Sequence, residues 1–198
     1  MARPVRFTED SILDGAARAV EKHGGKVTIA QISTEVGAPT GSIYHRFPSR
    51  DHLLIRLWLR AIRRFHTGLL AAPDIAATSR HIPQFCRKHP IDAQVMTLFR
   101  HADLIATAPV ELRNEVLHIN DSAWAKCRDL TQEFYGTTSP ELVERMTLAI
   151  YWCPYSLVRR YIGQPIPPWL DDATVAATLA IAEAGRTPPE SFPTTRKS

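Results

Sequence analysis

The sequence predicts an all-helical protein, and two observations favour this fold class. Apolar residues recur at the three- and four-residue spacing of one helix face, as they do from Leu13 to Val20. Residues that cap or end helices stand at the borders of these segments, whereas the alternating pattern of strands is weak. We expect about nine helices, arranged as a small N-terminal three-helix unit and a larger helical body.

The first two helices are predicted from their ends. Thr8 is placed to cap a helix that His23-Gly24-Gly25 ends. Thr28-Ile29-Ala30-Gln31 has the capping-box pattern, with a hydroxyl at the cap and an amide three residues later, and Gly37 ends the helix that it opens.

A short third helix follows after a tight turn, over Pro39 to Arg46, with Ile43 and Phe47 expected to point inward. Two short helices joined in this way have the proportions of a helix-turn-helix, whose second helix lies in the DNA major groove. The residues expected to face DNA are small and polar or exposed and ring-bearing: Thr40, Gly41, Ser42, Tyr44 and His45.

Positive charge is concentrated at the N-terminal end. Residues 1–64 contain eleven lysines and arginines against six acids, although the whole chain has a net charge of only +4. This asymmetry is typical of a unit that binds a polyanion, and solvated arginines explain it equally well. Candidates for phosphate contact are Arg3, Arg6, Arg46 and Arg50. A further stripe fits a solvated helix face or, alternatively, a site for an anionic ligand or a DNA flank: Arg56, Arg60, Arg63 and Arg64.

Residues 28–50 read Thr-Ile-Ala-Gln-Ile-Ser-Thr-Glu-Val-Gly-Ala-Pro-Thr-Gly-Ser-Ile-Tyr-His-Arg-Phe-Pro-Ser-Arg. This stretch, with the preceding Ile-Leu-Asp-Gly-Ala and Gly-Gly, closely resembles the DNA-binding region of the tetracycline-repressor (TetR) family over the first quarter to third of the chain. The resemblance implies a cytoplasmic transcription regulator, usually a repressor and a homodimer, with a divergent helical domain that binds a small molecule.

The resemblance also implies roles by position. Thr28 would contact a phosphate at the head of the second helix, and Tyr44 would hydrogen-bond a phosphate. Arg50 would make the phosphate contact that a lysine at the head of the fourth helix usually makes. The groove-facing residues would be Thr40, Gly41, Ser42 and His45. Pro39 and Thr40 stand where many members have a serine cap and a lysine, so a capping hydroxyl and a charge are missing here.

The rest of the chain is predicted to form a long fourth helix and five further helices. Ser49 is placed to cap the fourth helix, and the others are expected at about 74–89, 91–107, 110–135, 140–162 and 168–184. We divide the chain into a DNA-binding domain (1–49), an effector-binding and dimerisation domain (50–185, with 50–70 as the connecting helix) and a tail (186–198) expected to be disordered.

Ring-bearing residues on several of these helices are expected to form the core and in part to line a largely apolar effector pocket. The candidates are Trp58, Phe65, Phe85, Phe99, His101, Trp124, Tyr151 and Tyr155. Pro154 is expected to kink its helix and to free a carbonyl for a ligand or water, or only to shape the helix.

The last helix carries a smooth face of small residues: Ala173, Ala176, Ala177, Ala180 and Ala184. Such a face suits close packing against the protein's own core or a second subunit, and the family resemblance favours a homodimer that binds a palindromic operator. A ligand that presses on the far end of the fourth helix is expected to tilt its DNA-side end.

Signatures of other classes are weak. No enzyme, metal or cofactor is expected, because the histidines lack metal-ligand spacing and no phosphate loop or nucleophile elbow occurs; Cys86 and His89 share a helix face but make only a two-ligand match. No signal peptide or membrane span is predicted. Two alternatives stay open, an architectural DNA-binding protein and a redox-responsive factor acting through Cys86, Cys127 or Cys153.

Overall fold

The protein is described by a computed structural model that covers residues 7–186. Helices make up its regular structure, and no strand occurs in this part of the chain. The α-helices are α1 (Glu9–His23), α2 (Ile29–Val36), α3 (Thr40–Tyr44), α4 (Arg50–Ala71), α5 (Ile75–Lys88), α6 (Pro90–Met96), α7 (His101–Thr107), α8 (Val110–His118), α9 (Asp121–Tyr135), α10 (Pro140–Thr147), α11 (Cys153–Arg159) and α12 (Leu170–Glu183). The all-helical fold class is confirmed.

Helices α1 and α4 begin at the capping hydroxyls that the sequence predicted. The Thr8 hydroxyl accepts a hydrogen bond from the Ser11 amide at 3.1 Å, and the Ser49 hydroxyl accepts one from the His52 amide at 3.0 Å. Each bond satisfies one of the amides that the first turn of a helix leaves without a partner. Short-range sequence signals therefore placed these ends correctly.

The single helix predicted over 91–107 is wrong, because the chain leaves the helix after Met96 and starts again at His101. Trp58 explains the break. Its indole N–H donates to the Met96 carbonyl at 3.2 Å, which is the carbonyl that the Arg100 amide would use in a continuous helix. Arg100 is extended instead, with φ −90° and ψ 130°.

The single helix predicted over 110–135 is also wrong, and the break between α8 and α9 has the same kind of cause. The ring Nε2 of His101 donates to the Val116 carbonyl at 2.8 Å, where a continuous helix would place the Asn120 amide. His101 in turn stacks on Trp58 with the ring centroids 6.3 Å apart. One stacked pair of rings thus accompanies both breaks.

The helix predicted over 140–162 widens into a π-helical turn at Leu148–Trp152, just before Pro154. Here the Cys153 amide bonds to the Leu148 carbonyl, so it does not reach Ala149. The Ala149 carbonyl accepts a hydrogen bond from the buried Thr178 hydroxyl of α12 at 2.8 Å. The carbonyl released in this helix is therefore used inside the protein and is not held open for a ligand.

The core consists of three apolar clusters, and the largest crosses the predicted domain boundary. It joins residues of α1 to α4 with residues of α6 to α8, so that Ile43 and Phe47 belong to the same cluster as Leu104 and Leu112. The two smaller clusters lie in the body, around α9 and α12 and around α5 and α11. The division proposed at residue 50 thus does not coincide with a gap in the packing.

Two expectations about the ends of the chain fall largely outside the described residues. Arg3 and Arg6 precede them, and of the predicted tail only Arg186 is included; its guanidinium donates to the Phe134 carbonyl at 3.0 Å. Among residues 7–186, no helix combines the length and the apolar character that crossing a membrane requires.

Candidate DNA-binding surface

The turn between α2 and α3 is fixed by one glycine and two hydrogen bonds. Gly37 has φ 68°, in the left-handed region that glycine adopts without strain. The Ala38 amide donates to the Ser33 carbonyl at 3.1 Å, and the Ser33 hydroxyl donates to the Ala38 carbonyl at 2.5 Å. These contacts hold α3 at a defined angle to α2, as a helix-turn-helix requires.

The inner side of this unit is closely packed. Ile43 and Phe47 are fully buried, as predicted. A methyl group added at Gly15 of α1 would lie 2.2 Å from the Val36 side chain, so α1 and α2 approach each other more closely than any larger residue would permit. The rear of α3 is therefore rigidly supported.

An ion pair fastens α2 to α1. The Lys22 ammonium lies 2.6 Å from a carboxylate oxygen of Glu35, and this bond lowers the pKa of Glu35. The Arg18 guanidinium donates to the Glu35 backbone carbonyl at 3.2 Å. Both basic side chains are thus engaged with α2.

The outer side of α3 carries most of the residues predicted to face DNA. Thr40, Gly41 and His45 are exposed, Tyr44 is 51% exposed, and Ser42 is half-buried. A methyl group at Gly41 would meet no atom within 4 Å, so the surface is open at that point. Thr28 is also exposed, with its hydroxyl in the capping box with Gln31 that the sequence predicted.

Arg50 has a different arrangement from the one expected of a phosphate contact. Its Nε donates to the Val27 carbonyl at 2.5 Å, one Nη donates to the Gly25 carbonyl, and the other bonds to Asp51 at 2.9 Å. All three guanidinium nitrogens are therefore used within the protein. The side chain fastens the start of α4 to the turn between α1 and α2, and its contact with a phosphate stays a prediction.

The arginine stripe on α4 is not a freely solvated face. Arg60 pairs with Asp14 of α1 at 2.8 Å, and Arg64 pairs with the buried Asp92 of α6 at 2.7 Å. Two further arginines of α4, Arg56 and Arg63, bind one carboxylate of α8, that of Glu115. The stripe thus connects α4 to three helices, which the sequence could not show because the acids lie far away along the chain.

The eight residues proposed for an effector pocket lie in three groups of contacts, and their lining of a pocket stays a prediction. Trp58, Phe99 and His101 lie at the largest core cluster. Phe65, Phe85 and Tyr155 lie in or beside the cluster around α5, with the two phenylalanine rings 5.2 Å apart. Trp124 and Tyr151 contact each other at the cluster around α9, and the Tyr151 hydroxyl donates to the Ala123 carbonyl at 2.7 Å. The three groups differ in burial, because Trp58 and Phe85 are buried whereas Trp124 is 40% exposed.

The three thiols lie in surroundings that suppress thiolate formation. Burial raises the pKa of Cys86 to about 11 and also raises the pKa values of Cys127 and Cys153. Because the thiolate is the species that reacts with oxidants, these cysteines have the character of structural residues. Among the described residues, histidine, cysteine and acidic side chains form no group of three or more that is arranged to hold a metal ion.

Comparison with known proteins agrees with this geometry. Residues 12–57 match the family model for bacterial regulatory proteins of the tetR family. No curated protein matches the sequence. Solved structures with the same fold include a transcriptional regulator from Rhodococcus sp. RHA1, with 17% identity, a TM-score of 0.67 and coverage of 90% of this chain and 97% of that one.

Two further solved structures resemble the chain over most of its length. A TetR-like regulator from Rhodococcus sp. RHA1 has 18% identity and a TM-score of 0.64, covering 94% of this chain and 98% of its own. The ketosteroid transcriptional regulator KstR2 of Mycobacterium tuberculosis has 17% identity and a TM-score of 0.60, covering 93% and 97%. These matches confirm the resemblance: residues 12–57 match the tetR family of bacterial regulatory proteins, and the chain as a whole has the same fold as these transcriptional regulators.

Proposed function

We propose that this DNA-binding regulator acts as a ligand-responsive homodimeric repressor on a palindromic operator. The observation that carries the proposal is the structure of α3, which is fixed from behind by the fully buried Ile43 and Phe47 and presents small polar residues outward. A recognition helix needs both features, because a rigid rear surface sets its register and small residues let its backbone approach the base edges.

Within this proposal, the contacts divide into two kinds. Thr40, Gly41, Ser42 and His45 face the major groove, whereas Thr28 and Tyr44 contact phosphates. Arg50 also contacts a phosphate, through the N–H groups that remain after it holds the head of α4 against the turn that precedes α2.

The proposed dimer uses the faces of the last helices that the chain leaves uncovered. On α12, Leu170, Thr174, Thr178 and Ala182 are buried against the body, while Ala176, Ala180 and Leu179 are exposed. On the neighbouring π-helical turn, Leu148 is 49% exposed and Trp152 is 56% exposed. A second copy of the chain would cover these exposed apolar side chains, and pairing would set two recognition helices about 34 Å apart.

The proposed domains are those of the sequence analysis, 1–49 for DNA and 50–185 for the effector and the dimer. The shared core supports coupling between them, because α4 passes from Arg50 at the DNA-binding unit into the body, where its ion pairs reach α6 and α8. A shift of α4 against α8 would therefore change the spacing of the two recognition helices.

The decisive test starts with selection of bound duplexes from a random DNA pool. Tyr44→Phe removes a hydroxyl assigned to phosphate, so we expect it to weaken binding to all selected sites by a similar factor. Ser42→Ala removes a hydroxyl assigned to a base edge, so we expect it to change the preference among the sites. The reverse pattern would overturn these assignments, and binding to unrelated duplexes with equal affinity would indicate an architectural protein instead.

The same assay tests redox control. Because burial raises the pKa values of all three thiols, we expect mild peroxide to leave operator affinity unchanged. A loss of affinity that a thiol reductant reverses would contradict this expectation.

A further inference from the structure

A polar cleft of about 580 Å³ lies between the second half of α4 and the junction of α8 with α9. Its volume is within the range that small-molecule sites occupy. None of the eight ring-bearing residues predicted for the effector pocket lines it. The lining residues are Arg63, His66, Thr67, Leu70, Asn114, Glu115, His118, Ile119 and Ser122.

The most unusual member of the lining is His66. Its side chain is only 9% exposed, and it makes no hydrogen bond to any residue in the described part of the chain. Burial lowers its pKa, so the ring is neutral near pH 7 and offers one N–H donor and one acceptor. The ring nitrogens are not among the fully buried polar atoms, so they can bond to water or to a molecule in the cleft.

The charges around the cleft favour an anion. Among the described residues Glu115 is the only acid that lines it, and two guanidinium groups, those of Arg56 and Arg63, already bind that carboxylate. Arg63 uses only one of its nitrogens for this bond and is half-exposed, so the rest of its donors remain available. At the rim, His118 is paired with Asp121 at 2.8 Å.

The remaining lining is divided between polar and apolar side chains. Asn114 and Ser122 are exposed and supply an amide and a hydroxyl, and Leu70 and Ile119 supply apolar surface, with Leu70 40% exposed. A molecule that satisfies this set has an acidic head and an apolar body.

We propose that this cleft binds small organic monocarboxylates. The carboxylate lies on the Arg63 guanidinium with further hydrogen bonds from His66 and Asn114, and the apolar body lies on Leu70 and Ile119. The site is distinct from the ring-bearing residues predicted to line a pocket, none of which belongs to its lining.

Binding here would act on α4 directly, and this part of the inference rests on the proposed function. Arg56 and Arg63 lie two helical turns apart on α4 and share the Glu115 carboxylate of α8. A ligand carboxylate on the remaining Arg63 donors competes with Glu115 for this guanidinium and weakens the tie between the two helices, which the Arg56 bond at 3.1 Å also maintains.

The test compares two probes of similar size, octanoate and its neutral amide, by isothermal titration calorimetry with the full-length protein. We expect octanoate to bind at least about tenfold more tightly than octanamide, because only octanoate carries the charge that Arg63 requires. We expect Arg63→Gln to remove this difference. Arg80→Gln is the matched control, because Arg80 is also a partly exposed arginine with one acidic partner but lies on α5, away from the cleft.

A second variant fills the site without changing its charge. Ser122 is exposed, so Ser122→Trp is compatible with the fold and is expected to weaken octanoate binding by about tenfold or more. Three results would each overturn the proposal. The two probes could bind with equal affinity, octanoate could fail to bind at about 1 mM, or the Arg63→Gln variant could bind octanoate as tightly as the parent protein does.

DNA binding, measured in parallel, separates the two proposals. If the protein selects an operator but octanoate does not bind through Arg63, the cleft assignment fails and the DNA-binding function stands. If octanoate binds through Arg63 but no duplex is preferred, the cleft assignment stands and the proposed function fails.

Discussion

Two glycines of the DNA-binding unit occupy opposite surroundings, and this contrast separates support of the recognition helix from contact with DNA. Gly15 lies where α1 meets α2, and a methyl group there would be 2.2 Å from the Val36 side chain. Gly41 lies on the outer face of α3, where a methyl group would meet nothing within 4 Å. Only the first glycine is required by the fold of the isolated chain.

We therefore expect Gly41→Ala to leave the free energy of unfolding unchanged or to raise it by up to about 1 kcal/mol, since alanine is the better helix former. Operator affinity is expected to fall by about tenfold or more, because the new methyl group occupies space that the DNA would enter. Denaturant unfolding and DNA titration measure the two effects. Unchanged operator affinity would mean that DNA does not approach this part of α3 closely.

Gly15→Ala is the companion variant, and we expect it to lower the stability of the fold rather than to change the contact with DNA. It forces Val36 to move, and overpacking of this kind costs about 1–3 kcal/mol of stability. The apparent loss of DNA binding should then follow the loss of folded protein. A Gly15→Ala protein as stable as the parent would show that α1 and α2 separate easily.

At the scale of the helix, local signals predicted starts better than breaks. The capping hydroxyls of Thr8, Thr28 and Ser49 act within three residues of their own position, so the sequence reveals them. The breaks after Met96 and His118 accompany hydrogen bonds from side chains 38 and 15 residues away in the chain. A pattern of apolar spacing carries no information about such distant donors.

The packing of α12 offers a matched pair of substitutions. Thr174 and Thr178 are one turn apart and both fully buried, but their hydroxyls differ. That of Thr178 donates to the Ala149 carbonyl in the π-helical turn, whereas that of Thr174 has no hydrogen-bond partner within residues 7–186. Valine has nearly the shape of threonine and removes only the hydroxyl.

We expect Thr178→Val to lower the free energy of unfolding by about 1–2 kcal/mol, because the Ala149 carbonyl is then buried without a donor. Thr174→Val is expected to leave stability unchanged or to increase it by up to about 1 kcal/mol, since it removes an unpaired polar group. Thermal or denaturant unfolding compares the two variants. Equal losses would show that the hydrogen bond across the π-helical turn contributes nothing specific.

At the scale of the whole molecule, the sequence predicted the DNA-binding face more completely than the body. The outer residues of α3 follow from a short continuous segment, whereas the polar cleft combines Arg63 and His66 of α4 with Glu115 and Ser122 from helices about fifty residues later. The α4 arginines were visible as a stripe, but their acidic partners were not. Assembly of distant helices decides which charges meet, and spacing along one helix cannot show it.

The exposed apolar surface of the last helices carries the final prediction. If a second copy covers Trp152 and Leu179, a charge placed there must be desolvated without a partner in the dimer, which is strongly unfavourable. We expect Trp152→Glu to convert the protein to a monomer in sedimentation experiments. Operator affinity should fall by about tenfold or more, because the two half-sites are then bound independently.

Val110→Glu is the matched control, since Val110 is 75% exposed but begins α8, outside the proposed interface. It adds the same charge at an exposed apolar position, so it should leave both the oligomeric state and operator binding intact. If Trp152→Glu instead sediments as the parent protein does, the surface formed by the π-helical turn and α12 is not where the two copies meet. Two recognition helices would then have to be brought onto one operator by another pair of faces, and the exposed apolar side chains of α12 would need a different partner.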